Sequence, residues 1–139
     1  MTSLGKLILL ASIFLLLLQN ALASNVQIRV LNAKNGKPVA NEKVSVQVKG
    51  VRDATEYRTD VEGNVNADLD PAAQVFAATE WWITCRKIGK GINPYISVGK
   101  IMQEGAVTEN TCGRAKSETI KGRLIIFARK GSLIEHFQR

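Results

Sequence analysis

The sequence contains few of the side chains on which catalysis usually depends. Its only histidine, His136, lies close to the C-terminus, where no rigid scaffold would orient it as a base. Its two cysteines, Cys85 and Cys112, have no histidine cluster to complete a zinc site. The carboxylates are scattered along the chain on predicted outward strand positions. We therefore expect a protein that is not an enzyme and that uses no cofactor and no metal.

Tight runs of basic residues are also missing, although the chain is basic. Residues 71–139 carry eleven Lys or Arg against five Asp or Glu, whereas residues 24–70 carry seven of each. A basic surface in the second half could face an anionic partner such as a lipid surface, an acidic glycan or nucleic acid. The alternative is ordinary solvation of dispersed charges. Because the chain also carries an export signal, we expect no nucleic acid partner.

Long apolar runs are rare, since only residues 7–18 form one, and it is too short to span a bilayer comfortably. Lys6 precedes this run, and a small-x-small cleavage site ending at Ala23 follows it. We interpret residues 1–23 as a signal peptide and residues 24–139 as one domain, either periplasmic or secreted. The alternative is a leader that remains uncleaved as an anchor.

The first half of the exported chain does contain a regular pattern, in which apolar and polar residues alternate. Four short runs show this period of two, and polar turns separate them. Such runs are typical of half-buried strands, and their number predicts an all-β sandwich or barrel. The runs are centred on Ile28, Val46, Tyr57 and Ala67.

Two turn motifs punctuate these runs. In RVLNAKNGKPVAN (29–41), Asn35-Gly36 predicts a turn and Pro38 an extended path, which suits a crossover between two sheets. A phosphate cradle is not expected there, since no glycine-rich loop opens a helix. In TDVEGN (59–64), Gly63 predicts a hairpin with a positive φ, and a loose calcium site is the alternative.

These two motifs carry a resemblance that covers about residues 25–80. A strand, a Gly-x-Pro turn, a Val-x-Val strand and a Thr-Asp-x-x-Gly turn resemble the transthyretin-like and carboxypeptidase regulatory-like domains. The resemblance implies a seven-stranded Greek-key sandwich. One branch of that family hydrolyses 5-hydroxyisourate, but Arg29 stands where that branch has histidine. The chain also ends in residues 136–139, HFQR, rather than in Tyr-Arg-Gly-Ser, so the resemblance argues against this activity.

Aromatic residues are few, and two of them adjoin in QVFAATEWWITCR (74–86), which predicts one long strand. Its alternation places Trp81 in the core and Trp82 outside or under a loop, unless a bulge reverses them. An exposed Trp82 near Arg86 and Tyr95 could stack on a sugar ring. The alternative is that the protein's own loops cover Trp82.

Export favours a disulfide between Cys85 and Cys112, and the alternative is two separate buried thiols. The bond would close a loop of about 28 residues and stabilise the fold by roughly 3–4 kcal/mol. Within this loop, a short helix is predicted after Ser97, ending at Gly105. We expect the loop to be an insert that covers one edge or face of the sandwich. The stretch from Trp82 through residues 110–113 is similar to exported bacterial proteins without assigned activity.

The C-terminal tail follows a last predicted strand at residues 122–129. Ser132 and Glu135 have the spacing of a capping box, which predicts a short helix. Leu133 and Phe137 would then form an apolar foot that touches a partner or an anionic membrane. The alternative is that the tail packs back on the sandwich.

Together these features predict a non-enzymatic exported module with a binding or structural role at the cell envelope or outside the cell. Its partner would be a protein or a glycan outside the cytoplasm. One alternative is a carbohydrate-binding module that uses Trp82 and Tyr95. The other is a hydrolase of the transthyretin-like type, which Arg29 and the tail disfavour.

Overall fold

A computed structural model describes residues 5, 6, 8 and 22–138, and it is built mostly from strands. The predicted signal peptide lies almost entirely outside the described residues. The strands are β1 Ser24–Asn32, β2 Lys43–Val48, β3 Thr55–Arg58, β4 Asn64–Leu69, β5 Gln74–Thr79, β6 Trp82–Thr84, β7 Ile96–Ser97, β8 Ala106–Val107 and β9 Arg123–Lys130. The helices are α1 Val98–Glu104 and α2 Leu133–Phe137. Within the part of the chain described, no helix is long and apolar enough to cross a membrane.

The strands form two sheets, which confirms the predicted all-β class. The first sheet has the order β4-β1-β9-β6, with β8 also paired to β9, and the second has the order β3-β2-β5-β7. β1 is antiparallel to β4 but parallel to β9, with Gln27 opposite Arg123 and Asn32 opposite Ala128. The chain therefore enters at one end of the first sheet and leaves β9 at the other. We call these the leader end, at Ser24, and the tail end, at Lys130.

The main core lies between the sheets, and it follows the alternation seen in the sequence. Inward residues of β1, β2, β4 and β5 are buried, while the residues between them face outward. Val26, Ile28 and Val30 are fully buried and pack with Leu124 and Ile126 of β9. Burial of each such side chain stabilises the fold by about 1.5–3 kcal/mol relative to exposure.

The stretch between β1 and β2 is a crossover from one sheet to the other, as predicted. Gly36 adopts a φ of 72°, and the side chain of Asn35 accepts a hydrogen bond from the backbone N–H of Lys37. Pro38 lies opposite Leu31 in an isolated bridge, and Val39 N–H donates to the carbonyl of Val30. Hydrogen bonds to backbone groups therefore hold this crossover in place.

The prediction of a hairpin at residues 59–64 is wrong, although the prediction for Gly63 is confirmed. β3 belongs to the second sheet and β4 to the first, so this turn is another crossover. Asp60 Oδ1 accepts the backbone N–H groups of Glu62 and Asn64. Gly63 has a φ of 78°, and a Cβ there would lie 2.6 Å from the carbonyl oxygen of Val30. The close approach of this crossover to the backbone of β1 therefore requires glycine.

The single long strand predicted for residues 74–86 is also wrong, because the chain changes sheets at Glu80. β5 ends in the second sheet, and β6 begins at Trp82 in the first. The change resets the alternation, so Trp81 is 43% exposed whereas Trp82 packs against the main core. The predicted positions of the two tryptophans are therefore reversed.

The buried carboxylate of Glu42 holds this bend. Its Oε1 accepts the backbone N–H groups of Trp81 and Lys43, each at 2.9 Å, and its Oε2 accepts that of Trp82 at 2.9 Å. Glu42 is only 1% exposed, and hydrogen bonds to an ionised acceptor are strong. The next chain segment is thereby directed into the first sheet.

Residues 85–122, which we call the insert, connect β6 to β9. The disulfide between Cys85 and Cys112 is present, so the alternative of two separate thiols is wrong. The predicted helix is confirmed as α1, with Ser97 as its N-cap and Gly105 as its C-cap. Val98 and Ile101 of α1 are buried in the main core.

The insert then crosses the outer face of the first sheet and covers a second cluster. This cluster consists of Leu31, Ala33, Cys85, Ile125 and Phe127, with Val107 and Ala115 packed against it. The side chain of Asn110 donates to the carbonyls of Ala33 and Ala115 and accepts the N–H groups of Cys112 and Gly113. The expectation that the insert covers a face of the sandwich is therefore confirmed.

Candidate binding surface

The structure does not bring the three residues of the predicted sugar platform together. Tyr95 packs edge-on against Phe76 of β5, and the centroids of the two rings are 6.1 Å apart. The guanidinium carbon of Arg86 lies 4.0 Å from the centroid of the same Phe76 ring. Trp82, by contrast, belongs to the first sheet and is half-buried against the main core. Arg86 and Tyr95 thus share a cluster around Phe76, and Trp82 is not part of it.

This cluster is a covered surface rather than an open stacking platform. Partial burial lowers the pKa of Arg86, although a guanidinium stays charged at any physiological pH. Lys49 Nζ lies 5.9 Å from the ring centroid of Tyr95. Phe76, Arg86 and Tyr95 are each half-buried in contacts with one another. Because Trp82 is not among them, the geometry does not favour the carbohydrate hypothesis.

The tail presents three exposed apolar side chains at the tail end of the sandwich. α2 is five residues long and includes His136. Leu133 is 78% exposed, Ile134 71% and Phe137 87%. The predicted Leu133 and Phe137 are therefore both accessible, and Ile134 adds a third apolar side chain beside them. The alternative that these side chains pack back on the sandwich is wrong.

Polar contacts, rather than apolar ones, hold α2 in place. The predicted capping box is confirmed: Ser132 Oγ accepts the Glu135 N–H, and Glu135 Oε2 accepts the Ser132 N–H. Arg129 of β9 donates from both terminal nitrogens to the two carboxylate oxygens of Glu135, at 2.9 and 3.0 Å. These bonds raise the pKa of Arg129. The paired geometry ties the helix to the last strand and leaves its apolar side chains in water.

Both tryptophans lie at this same end, each beside a cation. The guanidinium carbon of Arg58 lies 5.0 Å from the ring centroid of Trp81, and Lys130 Nζ lies 5.8 Å from that of Trp82. Arg58 also donates to the side chain of Asn41. The tail end therefore combines exposed apolar groups with tryptophans and basic side chains.

A cleft of about 740 Å³ lies between the insert and the first sheet. Phe127, Val107 and Ala115 form its apolar part, and Arg114 and Lys116 lie at its polar rim. Since Phe127 is only 1% exposed, the cleft offers little of this ring to a ligand.

The cysteine, histidine and carboxylate side chains of the described residues do not form a recognisable reaction centre. Both cysteines are joined in the disulfide, and no group of three His, Cys, Asp or Glu residues is placed to hold a metal within the described part of the chain. Arg29 stands where the hydrolase branch has histidine. Its Nε donates to the backbone carbonyl of Glu62. Its side chain thus supports the turn before β4.

Comparison with known proteins adds no assignment. No family model matches the chain, and no curated protein or solved structure matches it either. The residues themselves therefore carry the functional argument.

Sequence reasoning missed several residues that shape this surface. Arg58 and Phe76 look like ordinary outward strand positions and Glu42 looks like a loop residue before β2, and nothing local marks the tertiary contacts that they make.

Proposed function

We propose that this chain is an exported, non-enzymatic sandwich domain that binds a partner outside the cytoplasm through α2. One observation carries the proposal: Leu133, Ile134 and Phe137 remain exposed on a helix that is itself firmly held. Three large apolar side chains on five residues form the kind of patch that marks an interaction site. An ordered helix also loses less conformational entropy on binding than a disordered tail would.

Export is supported by the disulfide and by the leader pattern together. The Cys85–Cys112 bond suits a non-reducing compartment. The basic start, the apolar run at residues 7–18 and the small residues up to Ala23 are the pattern of a cleavable signal peptide. A domain that acts at the cell envelope or beyond it accounts for both features.

The strand order supports the transthyretin-like resemblance in the first half. β1, β2 and β3 follow one another, and β4 returns to lie beside β1, as it would in the Greek key that the resemblance implies. Among the described strands, seven have three or more residues, and β7 and β8 have two each. We propose that the chain belongs to that family, and we do not propose the hydrolase activity of its one branch.

Photocrosslinking in intact cells of the source tests the binding role. A photoreactive residue placed at Phe137 should form adducts with material outside the domain, because that side chain is 87% exposed. The matched control is the same residue at Val51, which is 53% exposed and lies in the turn between β2 and β3 at the leader end. Adduct formation at 137 no higher than at 51 would contradict the proposal.

A further inference from the structure

The tail end carries positive charge as well as apolar surface, and the two together indicate what it meets. We infer that α2 and its surroundings dock onto an anionic lipid surface. This inference rests on the proposed binding role of α2 and adds the chemical class of the partner. It depends on three features: the exposed side chains of α2, the cations around them and the direction in which the chain crosses the domain.

The apolar part has the composition of an interfacial segment. Leucine, isoleucine and phenylalanine are the residues that enter the boundary between headgroups and acyl chains, and tryptophan is enriched at the same depth. Trp81 is 43% exposed, and Trp82 begins β6 opposite Lys130. A lipid surface needs no shaped cavity on either side, so a short convex helix is sufficient to engage it.

Basic side chains surround this apolar part. By register, the turn after β1 lies beside the end of β9, since Ala33 N–H donates to the carbonyl of Ala128. Exposed cations at this end include Lys34, Lys37, Arg58 and Lys130.

Some acidic residues at the tail end are neutralised within the protein. Glu135 pairs with Arg129, and Glu56 and Glu80 share Lys43. The remaining acidic residues at this end are Asp60 and Glu62, in the turn before β4, and the buried Glu42 at the bend into β6. Lys34, Lys37 and Lys130 lie at the ends of β1 and β9, next to α2, and leave a local positive excess there. That excess complements a surface of anionic headgroups, where each Lys or Arg contributes about 1 kcal/mol.

The direction of the chain adds a geometric condition. β1 runs nine residues from Ser24 to Asn32, so the leader joins the domain about 30 Å from the tail end at the usual rise of about 3.3 Å per residue. A leader kept as an anchor would therefore point α2 away from the membrane that holds it. Docking of α2 onto that same membrane requires that the leader has been removed.

Vesicle sedimentation of the exported, processed protein tests the inference. We expect binding to phosphatidylcholine vesicles that contain phosphatidylglycerol and much weaker binding to phosphatidylcholine alone, with the difference reduced at high salt. Replacing Leu133, Ile134 and Phe137 together by serine should weaken binding by about a hundredfold or more, because three apolar side chains no longer enter the interface. The matched control replaces Val51, Ile88 and Ile92 by serine, which removes exposed apolar residues elsewhere and should leave binding unchanged.

A second pair of variants tests the charge. Lys130→Gln should weaken binding to the anionic vesicles roughly fivefold, the effect of removing one cation near the surface. Lys90→Gln, an exposed cation in the insert, should change it much less. Equal effects of the two variants would contradict docking through the tail end.

The outcomes separate this inference from the proposed function. Absence of binding to the anionic vesicles, or equal binding by the α2 triple variant, would overturn the lipid inference. If crosslinks from position 137 then reach a protein or a glycan, the binding role of α2 stands and its partner is not lipid. If neither vesicles nor crosslinks depend on α2, both are wrong.

Discussion

The insert and the tail both extend the sandwich, but the insert packs its apolar residues against a sheet whereas the tail exposes them to solvent. The insert brings Val107 and Ala115 onto the outer face of the first sheet, where Phe127 is only 1% exposed. The tail begins just after the same strand, yet Phe137 is 87% exposed. The difference lies in what holds each segment: a disulfide and a buried cluster for the insert, a capping box and one ion pair for the tail.

This contrast separates stability from binding along one stretch of chain. Residues that the insert covers contribute to the folded state and offer little to a partner. Residues on α2 are ordered without being buried, so substituting them should change binding and leave the fold intact. Each prediction below tests one side of the contrast, in order of decreasing effect.

Replacing Phe127 by alanine should destabilise the protein by about 4 kcal/mol, because a buried ring is lost and a cavity remains beneath the insert. Urea unfolding followed by tryptophan fluorescence measures the change. If the alanine variant fails to fold, Phe127→Leu should still fold and cost about 1–1.5 kcal/mol. A loss below about 1 kcal/mol for the alanine variant would show that the insert does not bury this ring.

Removing the disulfide with Cys85→Ser and Cys112→Ser should cost about 3.5 kcal/mol, since the bond spans 27 positions. The same unfolding measurement applies, without reductant. The wild-type protein in reductant serves as the control, and it should unfold like the double variant. Unchanged midpoints in both cases would mean that the bond does not pin the insert.

The bend that leads into the insert should depend on Glu42. Glu42→Gln should cost about 2 kcal/mol, because the amide carries no charge and its NH₂ group faces a backbone N–H. Glu56→Gln is the matched control, because the exposed carboxylate of Glu56 forms an ion pair with Lys43. Its substitution should lower the free energy of unfolding by less than about 1 kcal/mol. Equal losses for the two variants would contradict a special role for Glu42.

Phe137→Ala should change the free energy of unfolding by less than about 0.5 kcal/mol, as expected for an exposed side chain. It is the direct counterpart of Phe127→Ala, with the same substitution on the other side of the contrast. A loss of 2 kcal/mol or more would show that the tail packs on the sandwich and is not available for binding.

The sequence predicted what depends on local pattern and missed what depends on distant contacts. Alternation placed β1 to β4, and the spacing of Ser132 and Glu135 predicted α2, because strand faces and capping boxes are properties of neighbouring residues. The break at Glu80 could not be predicted, since it requires a carboxylate 39 positions before Trp81.

The binding surface divides in the same way. Leu133 and Phe137 are exposed, as the interpretation of the tail as an apolar foot requires, whereas Trp82 and Tyr95 lie apart, contrary to the alternative of a sugar platform. Whether two aromatic residues meet depends on which sheet each segment joins, and the switch of sheets at Glu80 decides that. No single-strand pattern shows such a switch in advance.

Hydroxyl-radical footprinting of the folded, processed protein tests the central claim most directly. The account predicts rapid oxidation at Leu133, Ile134 and Phe137, together with strong protection of Ile125 and Phe127 beneath the insert. Protection of the α2 residues comparable to that of Phe127 would contradict it, because the tail would then be part of the packed domain.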